Sequence, residues 1–500
     1  MMKKLFNLFI MGVLAVALVS CQSSQPKNMV ILKSEQDPTV SFRLLFKVGS
    51  MHDPAGKEGL AALTAEMIAN GGSKLHSLEE INEILYPMAA GIYSQVDKEM
   101  TVFSGRTHKD NLEDYYKILK EVILEPGFRQ EDFERIKSNI LNYLEKDLRY
   151  ADDEELGKEV LSEFIFEGTP YAHLEEGHIS SIKNITLEDV RNFYRTHYTR
   201  ANLLIGLGGG VEPDFIRQVE KDFEVLPEGQ PASLTKPSVK PIKGHEVLIV
   251  EKDANATAIS FGFPIKVLRG SKDYYALAIA NSWLGEHRNS SSHLYQVIRE
   301  KRGLNYGDYS YIEHFPNGGR RQFPPANVAR HQQIFQIWIR PVPNEARVFA
   351  FRAALRELQK LVDNGMTEAD FELTRKFLKN YVLHYAPTTM SKLGYALDDA
   401  FYGIKDSHLS LFRAMMDQLT LEDVNAAIRK HLQYKNMKIV FVTHDAEGLK
   451  KALVSNAPSP IKYATPKPPE VLEEDKEIIN YPLNIPEENI KIVKVEDLFN

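Results

Sequence analysis

Cysteine is nearly absent: the chain of 500 residues has one, Cys21, which rules out an internal disulfide. Concentrated positive charge is also missing. Lys and Arg number 61 against 68 Asp and Glu, a net charge of −7, and no Arg-rich run or basic patch interrupts this balance, so nucleic acid is excluded as a partner class. No long apolar run is present either. Leu5–Val19 is an apolar run only about fifteen residues long behind Lys3 and Lys4, too short for the roughly 20 of a spanning helix and suited to a secretory signal. What is there in quantity, 43% apolar and 26% charged residues, is the composition of a globular chain long enough for two to four domains.

The signal-like run ends in Leu18-Val19-Ser20-Cys21, which looks like a bacterial lipobox, in which the cysteine is diacylated and begins the mature chain. The expectation is a signal peptide at 1–20, a lipidated polar tether at 21–29, and a body held on the cell envelope, facing periplasm or exterior.

From Val30 onward the elements are readable. Thr39–Val48 alternates as a half-buried strand and closes at Gly49 and the His52-Asp53-Pro54 turn. In Gly56–Gly72 a stripe of Leu60, Leu63, Met67 and Ile68 predicts a helix ended by Gly71-Gly72. Ser77-Leu-Glu-Glu80 reads as a capping box, Gly91–Val96 and Met100–Ser104 as paired strands, and Leu112–Leu124 and Gln130–Asp147 as long amphipathic helices. Residues 224–244 turn rich in Pro, Gly, Ser and Lys, as a linker does. The order of elements then recurs: strands at His245–Val250 and Ala256–Phe263, a helix at Lys272–Gly285, a strand at Ile334–Ile339, helices at Glu345–Asn364, Thr367–Tyr385 and Thr420–Leu432, and a strand at Met437–Val442. The reading is a duplicated α+β chain: a first domain at 30–228, a linker at 229–244, a second domain at 245–455 and a Pro- and acid-rich tail at 456–500. The Ile and Val of 477–495 allow one or two added strands.

Several segments in shared order resemble the insulinase, pitrilysin and mitochondrial-processing-peptidase family. In the first half they are Val48-Gly49-Ser50, Gly56-Lys-Glu-Gly-Leu-Ala61 with Met67 and Gly71, Pro126-Gly-Phe128, Phe133-Glu-Arg135, and His197-Tyr198 with Asn202. In the second they are Ser291–Leu294, Ile298-Arg-Glu-Lys-Arg-Gly-Leu-Asn-Tyr306 and Asn364–Glu368. The resemblance implies two α+β domains, each an antiparallel-rich sheet packed with helices, together half of a clamshell.

Active members of that family continue Gly-Leu-Ala with His-x-x-Glu-His, two zinc ligands one helical turn apart and a general base. Here those positions hold Ala62, Ala65 and Glu66, and the distant glutamate ligand falls at Asn142 or Tyr143, with Glu145 about 200° around the helix from the required face. No zinc is expected on this chain. His173-Leu-Glu-Glu-Gly-His178 is the best substitute cluster, read as a solvated loop, and His287 and His293 carry a weaker signal. The family's other half-site, an arginine and a tyrosine seven residues apart that hold the substrate backbone and the oxyanion, is matched by Arg299 and Tyr306. A guanidinium and a phenol are suitable preorganised donors for developing negative charge.

The resemblance therefore implies a lipid-anchored, non-catalytic subunit of a heterodimeric peptidase. A homologous partner would supply zinc and base, this chain Arg299, Tyr306 and chamber wall, and the peptide would lie as an added strand on a sheet edge. The alternative is a peptide-binding or structural lipoprotein with no catalytic partner. Glu313–His331 departs from the family's shorter turn and reads as a solvated loop in which Arg320, Arg321 and Arg330 are free to meet acidic peptide or partner.

Overall fold

The computed structural model describes residues 28–500; Cys21 and the signal-like run lie outside the described residues. Two sheets organise the chain. The first is ordered β1 (Met29–Lys33), β5 (Leu203–Gly209), β2 (Thr39–Phe46), β4 (Thr101–His108), β3 (Ile92–Val96); only the β1–β5 pair is parallel. The second is ordered β11 (Ile490–Lys494), β6 (His245–Glu251), β10 (Met437–Thr443), β7 (Ala256–Ile265), β9 (Gln333–Pro343), β8 (Asp308–Tyr311). Without β11, the second order reproduces the first strand for strand, β6 standing where β1 stands and β8 where β3 stands. The duplication that is faint in the residues is complete in the topology. Each half is a mixed α/β domain with an antiparallel-rich sheet packed against helices.

The two halves are interlocked by an exchange of equivalent helices. The helix Asp153–Phe166 leaves the first half to cover β7 and β10, and Thr389–Tyr402 leaves the second to cover β5, β1 and β2. This corrects the reading of Thr39–Val48 as a half-buried strand. Phe42, Leu44 and Phe46 face the first core while Leu45 joins Leu397 and Phe401 on the other side. Arg43 spans the join, donating to the Met390 carbonyl at 3.1 Å and to Asn327 Oδ1 at 2.5 Å. On the second sheet Lys438 lays its ammonium 3.9 Å from the centre of the Phe164 ring, so its charge is met by an aromatic face where the helix covers it.

The helix read from Gln130 to Asp147 is α-helical only as far as Asn142; Tyr143–Ala151 is wound wider, in π-helical turns. Its buried residues Ile136, Ile140, Leu144 and Leu148 recur every four positions. In an α-helix such a stripe drifts about 40° per step, and the wider winding cancels the drift and keeps Leu148 on the core.

The tail adds one strand. β11 pairs parallel with the outer edge of β6, and the chain then crosses to the first half, where Val495, Leu498 and Phe499 join its core. Phe499 O accepts the Ile179 amide at 2.6 Å, and the Arg149 guanidinium donates to Leu498 O and to Asn500 Oδ1. Deleting 495–500 removes three buried apolar side chains and is expected to cost on the order of 3 kcal/mol, read as a lower urea midpoint. No helix among the described residues is long and apolar enough to cross a membrane.

Candidate functional site

The helix that the sequence singles out spans Leu60–Asn70. Gly59 opens it at φ 96, and Asp53 caps it by accepting the amides of Gly59 and Ala61, both at 2.7 Å. Burial holds that carboxyl well above its ordinary pKa. At the far end Gly72, at φ +68, takes the left-handed turn, whereas Gly71 stays at φ −109. A side chain at Gly59 would strike the Glu176 backbone, and one at Gly177 the Glu58 backbone, so the loop 173–178 is seated directly against the start of the helix.

Ala62 and Glu66, one turn apart, line a cavity of about 600 Å³ closed on other sides by Ser94, Arg135, Tyr143 and Glu176. Ala65 is fully buried, so a methyl stands where the family's base would be. Of the two residues aligned with the distant ligand, Tyr143 reaches the cavity and Asn142 is exposed, receiving a hydrogen bond from Lys146 at 3.0 Å. Glu145 pairs with Lys183 at 3.1 Å. The residues present do not fit zinc. Alanine offers no donor; Glu66 is occupied by Ser94 Oγ at 2.5 Å and Asn70 Nδ2 at 2.8 Å; burial and neighbouring carboxylates push the Tyr143 phenol up, keeping it protonated. The former metal position is a polar cavity with a hydrogen-bonded carboxylate.

The loop read as solvated is not. His173 is buried, donates from Nδ1 to the Leu174 carbonyl at 2.8 Å, and is held down to about 4 by burial and Lys98. His178 pairs with Glu163 at 2.8 Å. Glu176 faces the cavity and is pushed up to about 7 by burial and by Glu175. His287 and His293 do not form a site together. His287 is buried, with Nε2 donating to Arg321 O at 2.9 Å and Nδ1 accepting the Tyr311 hydroxyl at 2.5 Å, and burial holds it down to about 4. His293 stacks on Trp283 and bonds Glu357 at 2.6 Å.

His173 and His287 bind fewer protons folded than unfolded between the ordinary pKa of about 6.5 and 4, so stability falls as pH drops through that window, by on the order of 2–3 kcal/mol for each. The imidazole C2 protons of both are expected not to titrate above pH 5 in the folded chain.

Glu313–His331 is the largest departure from the sequence reading. Instead of a solvated loop it threads between the halves. Arg330, 3% exposed, donates Nε and Nη2 to the two oxygens of Asp97 at 2.6 and 3.0 Å, and Nη2 also to Glu175 at 2.8 Å. His331 donates its amide and Nδ1 to Glu99 at 2.7 and 2.5 Å, and Lys98 lies 3.1 Å from Glu175. Arg320 stays exposed, and Arg321 lines the cavity. Asp97, Glu175 and His314 bring ligand atoms within 4.8 Å of one another, but Arg330 and Lys98 already neutralise the carboxylates, and burial with Arg330 nearby holds His314 neutral. The cluster is an interdomain ion network.

Arg299 lies in a wide turn of helix, Tyr295–Glu300, with Nη1 2.5 Å from Glu300 and the guanidinium 5.5 Å from the Tyr295 ring centre. Tyr306 is 78% exposed and its hydroxyl has no hydrogen-bond partner among the described residues. The residues between them do the structural work. Arg302 is buried and donates to Asp475, Glu474 and the Val297 carbonyl at 2.9, 2.9 and 2.7 Å, and Asn305 Nδ2 donates to Asp308 at 2.8 Å and Arg340 O at 3.1 Å. Glu474 and Asp475 belong to the tail helix Pro469–Ile479. The sequence reading missed these positioning residues; the acidic pair in the tail was the available signal. The tail thus clamps the segment that presents Arg299 and Tyr306 to solvent.

Comparison with known proteins agrees with this architecture. Residues 28–173 match the family model described as insulinase (peptidase family M16), and 184–378 the model described as the peptidase M16 inactive domain. The chain belongs to the M16 family, and the residues at its metal positions make it an inactive member. A protein from Helicobacter pylori named non-peptidase homolog YmxG is 22% identical over 441 residues, 87% of this chain and 96% of that one. An uncharacterized zinc protease from Rickettsia bellii is 25% identical over 285 residues, 56% of this chain and 66% of that one. Among solved structures, a peptidase M16 inactive domain from Pseudomonas fluorescens superposes with TM-score 0.73 at 24% identity, covering 83% of this chain and 95% of that one. A chain of complex III2 from Candida albicans gives 0.66 at 15%, covering 83% and 93%.

Proposed function

We propose that this chain is the non-catalytic subunit of a two-chain metallopeptidase, lipid-anchored through Cys21 on the bacterial cell envelope. A homologous partner carries zinc and the general base; this chain contributes Arg299 and Tyr306 as donors to the peptide backbone and the developing oxyanion. One observation carries the reading. Within Ile298–Tyr306, Arg302 and Asn305 are committed to buried internal contacts, while Arg299, partly exposed, meets only Glu300 and the Tyr295 ring of its own turn and Tyr306 is 78% exposed. The free edge of β3, beside the cavity, supports the same reading, since an extended peptide can add there as a strand.

A second reading, a peptide-binding or structural lipoprotein without a catalytic partner, draws on the Helicobacter pylori relative, which is named a non-peptidase homolog. Affinity capture of the tagged, full-length chain from envelope extracts separates the two. The subunit reading expects stoichiometric recovery of a homologue bearing His-x-x-Glu-His; repeated capture without one supports the second. Labelled palmitate is expected on wild type and not on Cys21→Ser.

A further inference from the structure

The second half holds a counterpart of the cavity just described, at the same place in the repeat: between the helix Lys272–Gly285, the edge strand β8 and the helix Glu368–Tyr381. It is smaller, about 60 Å³. At roughly 10–15 Å³ for one water, that is room for several waters or one small organic ion. Its walls include the rings of Tyr311, Phe315, Tyr385 and Phe412.

Two acceptor side chains line this cavity without a cation to meet them. Glu286 is 9% exposed and has no ion pair among the described residues; the Ser282 hydroxyl lies beside its carboxyl. Asn281 Oδ1 is buried and unbonded. The other charged groups around the space are already committed. Glu313 is held by Arg269 at 2.9 and 3.0 Å and by the Tyr274 hydroxyl at 2.9 Å, and His287 is consumed by Tyr311 and Arg321. The Tyr385 hydroxyl is a neutral donor in the lining. A nine-tenths-buried carboxyl without a cation is costly, and burial pushes this one up to about 7.

We propose that this cavity is a binding site for a small primary ammonium ion, held by Glu286 and Asn281 Oδ1 and faced by aromatic rings. An ammonium group supplies what the lining lacks, an uncommitted positive charge, its N–H groups suit the two acceptors, and aromatic rings in the wall suit a cation. The site is independent of the partner-completed peptidase reading. Phe315 and Pro324 in its wall belong to the segment that carries Arg330 into the first half, so an occupant touches the interdomain connection directly.

The test uses the full chain at pH 8, where the carboxyl is ionised, with methylammonium chloride as probe against NaCl, KCl and CaCl₂ at matched ionic strength. Thermal midpoints and broadening of the ¹³C-methylammonium NMR signal are followed. The expected result is a saturable rise in midpoint of several degrees with methylammonium alone, abolished in Glu286→Gln and weakened at least threefold in affinity in Asn281→Leu, which keeps the charge. The readout is the ligand-dependent shift, so a change in basal stability of either variant does not obscure it. Equal responses of wild type and Glu286→Gln overturn the proposal. So does a saturable shift produced equally by sodium, potassium or calcium, or no saturable shift at all.

Discussion

Arg299→Ala is expected to lower peptide cleavage by the assembled pair on the order of a hundredfold, and Tyr306→Phe by a similar or somewhat smaller factor, with pair formation unchanged. The magnitude follows from what the two groups do. Donors fixed beside a developing oxyanion act where water is excluded, so each is worth far more than an exposed hydrogen bond. Neither residue reaches beyond its own segment: Arg299 meets Glu300 and the Tyr295 ring of its own turn, and Tyr306 is 78% exposed. Loss of activity should therefore come without loss of stability. Arg302, three residues on, should behave in the opposite way, since it is buried against Asp475 and Glu474. Full activity of the pair containing Arg299→Ala would remove the main support for the assigned role.

Arg330→Ala is expected to destabilise the chain by about 3–5 kcal/mol, the usual consequence of leaving buried charge uncompensated. The substitution strips Asp97 of both its contacts with the guanidinium and Glu175 of one, leaving Glu175 paired with Lys98 and Asp97 with no Lys or Arg partner among the described residues. The network also joins the halves, because Asp97 and Glu175 belong to the first and Arg330 to the second. A urea titration followed by tryptophan fluorescence measures the loss; both tryptophans, Trp283 and Trp338, lie in the second half. Pairing Arg330→Ala with Asp97→Ala should recover part of it, the sign of a direct interaction rather than a packing defect.

What could be read in the sequence was what local chemistry determines. The capping box at Ser77 is present as read, with Glu80 accepting the Ser77 amide at 2.7 Å. The alternation in Thr39–Val48, the stripe in Gly56–Gly72 and the loss of ligands at Ala62, Ala65 and Glu66 are equally local. Burial that depends on the other half left no such trace. Nothing in Asp97-Lys98-Glu99, three consecutive charges, signals that all three are 2% exposed, because their partners are some 75 to 230 positions away. The loop 173–178 and the segment 313–331 look polar for the same reason, and both are closed by charges from elsewhere. Asn142 and Tyr143 could not be separated until the winding of the helix was known. The tail read as an addition; its carboxylates at Glu474 and Asp475 turn out to hold the segment on which the proposed function rests.

The central claim is that the chemistry left this chain's helix and is completed from another chain. It is tested most directly by cleavage of a quenched peptide with this chain alone, the captured zinc-bearing homologue alone and the equimolar pair, with zinc counted in each. The account predicts turnover by the pair only, and no zinc on this chain. Stoichiometric zinc and turnover with this chain alone would contradict it.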